Sequence, residues 1–169
     1  SFLAPPSAEA MGNPLMVNVA AIADFLERFA PSRTAAEWDN VGLLLGDRNA
    51  GVERVLTCLT VTPEVVAEAL EEGANLIVTH HPILFRGTKR LTTSNPEGRM
   101  LLALAGAGVS VYSAHTAFDN TAGGINDALA ARLGLVGVAP LRRSPPRRRS
   151  AAPSARSRAR APPARAGRS

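Results

Sequence analysis

Cysteine is almost absent from this sequence: Cys58 is the only one in 169 residues. An internal disulfide is therefore excluded, and the composition suits a reducing cytosol, so a cytoplasmic protein is expected. Cys58 lies in the apolar run RVLTCLTV. Burial there disfavours thiolate, which predicts an inert, buried thiol rather than a nucleophile. No apolar stretch approaches the roughly 20 residues that span a bilayer, so no membrane partner is expected. The opening residues, SFLAPPSAEAMGNPLM, lack the basic n-region and sustained apolar h-region of a secretory signal. Residues 1–16 are expected to form a disordered extension, with Met16 a candidate natural start.

Acidic residues are missing from one end. Residues 1–140 hold all 14 acids and 9 of the 19 basic residues, a net of −5, whereas residues 141–169 hold 10 arginines and no acid. In that tail 27 of 29 residues are Arg, Ala, Pro or Ser. It has no apolar periodicity and cannot offset chain entropy by burial, so disorder is expected. Clustered arginines release phosphate counterions, but the tail offers no aromatic to stack on bases, and nucleic acid is not the expected partner. GC-rich DNA read out of frame yields these residue types, so a frameshift product is the favoured origin.

The remaining length, 17–140, suits one domain with a proper core. Asn18 is a candidate N-cap for the helix VAAIADFLERFA, which Pro31 stops. WDNVGLLLGD predicts a turn and a short buried strand, and ERVLTCLTV a second strand. Thr62 and Pro63 open a helix through PEVVAEALEE in the preferred cap-then-proline order. NLIVT is the third strand, Asn95 and Pro96 open the next helix, and GVSVYSA is the fourth strand. HTAFDNTAGG is expected as a loop before a last helix, INDALAARL. Strands alternating with helices predict an α/β fold, a mostly parallel sheet with helices on both faces.

Histidine is scarce too, with three in the chain, but their placement is not random. His80 and His81 follow the strand LIVT at its carboxyl end. His115 follows VSVYSA in the same way, with Asp119 four residues on. In open α/β sheets, ligands bind in the crevice beyond the carboxyl ends of the strands. Imidazole and carboxylate together suit Zn, Mn, Fe or Ni rather than Ca. At a bend limited by Pro82, adjacent histidines can splay toward two ions, and two metals ~3.5–4 Å apart form a hydrolytic clamp. Two divalent cations bring more charge than Asp119 and a bridging hydroxide offset. Such a site wants another carboxylate, with Asp39 or Glu37 as remote candidates, and more imidazole.

Three segments, AAEWDNVGLLLGD, GANLIVTHHPILFRG and VYSAHTAFDNTAGGINDALAARLGL, resemble the N-terminal half of the Nif-three-like proteins. The family includes YbgI-type members, often labelled GTP cyclohydrolase type 2 homologues. The resemblance covers about residues 17–138. It implies a truncated Nif-three-like α/β fold, a ring-shaped homo-oligomer and two divalent metal ions per subunit in the intact family. By the same resemblance His80, His81 and Asp119 match metal ligands and His115 lies close to the metals; on chemical grounds His115 is the expected proton carrier. The family's remaining ligands, a His and a Glu in a second half, have no counterpart in residues 141–169.

Other residues carry weaker signals. Trp38, Asp39 and Asn40 belong to the family motif but favour an ordinary turn before Gly42. Lys89 and Arg90 are expected as solvated loop charges, with phosphate contact as the alternative. Gly123 and Gly124 precede a helix and could leave amides free for an anion. The expected function is a metal-dependent hydrolase acting on a nucleotide-like substrate, with an incomplete site. The alternative is a non-catalytic metal-binding regulatory or scaffold protein.

Overall fold

The computed structural model describes residues 17–140. The extension 1–16 and the tail 141–169, with the disorder expected of both, lie outside the described residues. Helices start where short polar side chains can cap them. Asn18 Oδ1 accepts the Ala21 N–H at 2.9 Å and opens α1 (Val19–Phe29). Thr62 Oγ1 accepts the Val65 N–H at 3.3 Å ahead of α2 (Pro63–Glu71). Asn95 Oδ1 accepts the Gly98 N–H at 2.7 Å ahead of α3 (Pro96–Gly106). Proline stands in the first turn of α2 and α3, where its missing N–H would have been unpaired anyway. Each cap stabilises by about 1 kcal/mol.

Four strands form one sheet: β1 (Gly42–Leu45), β2 (Val55–Cys58), β3 (Leu76–Thr79) and β4 (Ser110–Ser113), in the order β1-β4-β3-β2. The β2–β3 and β3–β4 pairs are parallel, and β1 runs antiparallel to β4. The expected mostly parallel α/β sheet is therefore what forms. Alternation along the strands divides their side chains between two faces. Leu76 and Tyr112 pack with Val19 and Ala23 of α1 on one face. Ile77 and Val111 pack with Val66 and Ala69 of α2 and Leu104 of α3 on the other. Burying a side chain such as Ile77 contributes roughly 1.5–3 kcal/mol.

β3 and β4 are the central strands, and β1 and β2 are edges. GLLL, expected to be buried, is only half-buried along its whole length. Its apolar run does not reveal that nothing pairs beyond it among the described residues. Because β3 and β4 are parallel neighbours, their carboxyl ends lie side by side.

Two short elements depart from the sequence expectation. A 3-10 turn covers Ser32–Thr34, and a helix, α4 (His115–Asp119), occupies the start of HTAFDNTAGG, expected to be loop throughout. The last helix, α5 (Ile125–Arg132), follows as expected. The N-cap position of α4 is Ala114, which supplies no side-chain bond. Its start carries no local signal. No described helix is long and apolar enough to cross a membrane.

Candidate metal centre

Hydroxyl groups fix the backbone that carries the first two histidines. The His80 N–H donates to Cys58 O at 3.2 Å and the His81 N–H to Leu59 O at 2.8 Å, so both residues stay tied to the end of β2. Thr79 Oγ1, on a buried residue, donates to Leu59 O and His81 O, each at 3.2 Å. Ser113 Oγ donates to His80 O at 2.7 Å and pins the end of β3 to that of β4.

From this base the three imidazoles converge. Ring centroids are 5.2 Å apart for His80 and His81, 5.3 Å for His80 and His115, and 5.9 Å for His81 and His115. Each ring offers a nitrogen, and these nitrogens all lie within 4.8 Å of one another. The adjacent pair splays toward one side instead of pointing oppositely. Asp119, at the end of α4, flanks the cluster, its Oδ1 3.7 Å from His80 Nε2. All four residues singled out in the sequence thus meet at the carboxyl ends of β3 and β4. His115 stands among the imidazoles, not apart from them.

A fifth residue completes the arrangement. Asp39 favours a turn when read in the sequence, yet its side chain is fully buried and reaches the site. One oxygen is 2.8 Å from His115 Nδ1. The other accepts the Thr116 N–H at 3.1 Å and the Thr116 hydroxyl. Asp39 therefore caps α4 from 77 residues away. Burial alone would raise its carboxyl. Hydrogen bonds from the Thr116 hydroxyl, His115 and the Asn40 and Thr116 amides outweigh that and hold it below the usual carboxylate range.

An ionised Asp39 can only accept. A proton of His115 must then sit on Nδ1, which makes Nε2 the nitrogen available to a ligand. His115 has φ +27°, uncommon for a residue with a Cβ, and the Asp39 bonds retain it there. His81 Nδ1 is hydrogen-bonded to Thr60 Oγ1 at 2.6 Å. Burial lowers the pKa of His80. Asp119 opposes that shift, and the His115 and His81 rings reinforce it. His80 therefore favours its lone pair over a proton. Neutral imidazole nitrogens with a flanking carboxylate fit Zn, Mn, Fe or Ni.

The weaker candidates resolve differently. Asn40 Nδ2 donates to Leu84 O at 2.9 Å, tying the WDN turn to the loop after His81. The Gly123 amide donates to Asp127 Oδ2 at 2.7 Å and the Gly124 amide to Thr121 O at 3.1 Å, so neither is available to an anion. Lys89 and Arg90 are exposed. Cys58, expected to be buried, is half-buried and lines an apolar cavity of about 490 Å³ with Leu26, Phe29, Leu59 and His80. As an edge strand, β2 lacks the cover that its apolar sequence suggests. Sequence reasoning missed the roles of Asp39, Thr60 and Thr116. For Asp39 the sequence offered its place in the WDN motif and the want of a further carboxylate, but no sign of its bond to His115.

The chain is similar to known proteins in both sequence and fold. The family model for Duf34/NIF3 (NGG1p interacting factor 3) matches residues 17–166. The chain is 39% identical over 120 residues to a GTP cyclohydrolase 1 type 2 homolog of Clostridium acetobutylicum, covering 71% of this chain and 45% of that protein. Among solved structures it is similar to a Bacillus cereus protein related to NIF3, with a TM-score of 0.68 and 38% identity over 72% of this chain and 34% of that one. It is also similar to reduced HcgD from Methanocaldococcus jannaschii, with a TM-score of 0.70 and 32% identity over 76% and 51% of the two chains. The chain spans less than half the length of the curated relative it matches.

Proposed function

The chain belongs to the Duf34/NIF3 family, and from that premise we propose that its crevice binds divalent metal and serves hydrolysis of a nucleotide-like substrate. The observation that carries this reading is the convergence of His80, His81 and His115, whose ligand nitrogens lie within 4.8 Å of one another. Those three imidazoles would hold the ion, and Asp119 beside His80 would supply negative charge. A metal bound there supplies Lewis acidity and lowers the pKa of water.

The rest of the chemistry belongs to the protein. Asp39 keeps the His115 proton on Nδ1 and orients the ring, as a carboxylate behind a metal-ligating histidine does. A hydrogen bond between Thr60 Oγ1 and Nδ1 restrains the exposed His81 ring. The pKa of His80 is lowered by its burial, so near neutral pH it presents a lone pair. The nucleotide-like substrate class rests on the name that relatives carry, GTP cyclohydrolase 1 type 2 homolog. Family resemblance also supports assembly into a ring of identical subunits, which light scattering would measure.

Metal analysis combined with turnover of GTP and simple phosphoesters tests the reading. Wild type should bind zinc or manganese and turn over at least one of these compounds, and His81→Ala should lose most of both. Full metal occupancy with no turnover in either protein would instead favour a binding or scaffold role. Absence of metal binding would sink the metal reading itself.

A further inference from the structure

Two large rings stand unburied at the rim of the imidazole cluster. Trp38 is 65% exposed and Phe85 46% exposed, in a chain with only 4% aromatic residues. Their centroids lie 6.0 Å apart in an edge-to-face arrangement. Each also lies near His115, at 6.2 Å for Trp38 and 6.4 Å for Phe85. Single exposed apolar residues are ordinary. These two come from separate loops and are held together.

The holding is specific. Asn40, two residues after Trp38, donates to the carbonyl of Leu84, the residue before Phe85. Leu84 has φ +53°, a left-handed conformation that bulky side chains rarely adopt. Such strain persists only where surrounding bonds impose it. Here the Asn40 bond fixes the strained residue that sets where Phe85 projects. Arg86 follows Phe85 directly, and Lys89 and Arg90 lie further along the same exposed loop. Positive charge thus follows the aromatic pair along the loop that carries Phe85.

We propose that Trp38 and Phe85 form a stacking platform for the planar base of a nucleotide, whose phosphorylated end meets the loop cations. The inference deepens the hydrolase reading above by naming its substrate class, and rests on it for where the reacting end of the ligand lies. Trp and Phe faces accept any planar base without hydrogen-bond readout. The cations select for negative charge. An apolar ligand without a ring would use neither the edge-to-face geometry nor the arginines.

Trp38 is the only tryptophan, so its fluorescence reports this site alone. The full chain is titrated with GMP, guanosine and ribose 5-phosphate, with and without zinc. GMP and guanosine should quench Trp38, GMP binding the tighter, while ribose 5-phosphate leaves emission unchanged. By calorimetry, Trp38→Ala and Phe85→Ala should weaken GMP binding about tenfold. Trp38→Phe should restore most of the affinity, and zinc stoichiometry should not move in any variant. Zinc binding without any response to GMP or guanosine would overturn the platform and leave the metal reading standing. Ring binding without zinc binding would do the reverse. Unchanged GMP affinity in Trp38→Ala, or a change only in its oligomeric state, would also overturn the platform and mark the two rings as a subunit contact.

Discussion

Asp39 and His115 stand 76 residues apart in the chain and meet at 2.8 Å, carboxylate oxygen to ring Nδ1. The same carboxylate bonds the Thr116 amide and hydroxyl. One buried side chain therefore decides both where α4 begins and which nitrogen of His115 is left for a ligand. Removing the charge and removing the acceptor altogether are separable perturbations.

Asp39→Asn keeps an acceptor oxygen for His115 but loses the charge, whereas Asp39→Ala leaves the Thr116 amide and His115 without that partner. Zinc affinity, measured by chelator competition, should fall about 10–100-fold in the Asn variant, the usual effect of altering a ligand's hydrogen-bond partner. The Ala variant should in addition lose roughly 1–3 kcal/mol of stability in denaturant unfolding. Equal Tm values for the two variants would argue against the capping role.

Zinc stoichiometry should be about one per chain, because the three imidazoles make a single ligand set that leaves a fourth position open for water. Atomic emission on dialysed protein measures it. A ratio of two would require ligands from beyond the described residues or from another subunit.

Tyr112, packed against α1, gives a separate pH signature. Burial, reinforced by the Glu27 charge, pushes its phenol up from 10.0 to about 12. The folded state thus holds the proton more tightly than the unfolded chain. The resulting stability is fully present below about pH 10 and is lost as pH rises toward 12. It is the only tyrosine, so phenolate absorbance should appear together with alkaline unfolding, and Tyr112→Phe should unfold at higher pH. Free titration near pH 10 in the folded protein would contradict this burial.

Gly46 and Ser110 predict opposite responses. Gly46 has φ +113°, and an added Cβ would lie 2.7 Å from Ser110 Cα, so Gly46→Ala should cost about 1–3 kcal/mol or more. Ser110 Oγ is buried with no partner among the described residues. Ser110→Ala should then leave Tm unchanged or raise it, since no hydrogen bond is lost. A clear drop in Tm for Ser110→Ala would reveal a partner for the hydroxyl.

Most of the fold was legible because its signals are local. Asn18, Thr62 and Asn95 cap the helices they precede, and β3 is buried as its apolar run suggests. The convergence of His80, His81 and His115 followed from strand ends in a parallel sheet. What escaped depends on distant partners. The start of α4 is set by Asp39, and the exposure of β1 and β2 by strand order. The splay of His80 and His81 was visible only as a consequence of a bend. Nothing within a few residues of Asp39 announces its burial.

His115 belongs to two groups of rings, one with His80 and His81 and one with Trp38 and Phe85. Occupants of the two groups would therefore be thermodynamically linked through one imidazole. By reciprocity, whatever factor an ion contributes to the affinity for a ring, the ring must return to the ion. A shared vertex makes cooperativity a property of the layout, with no conformational change required.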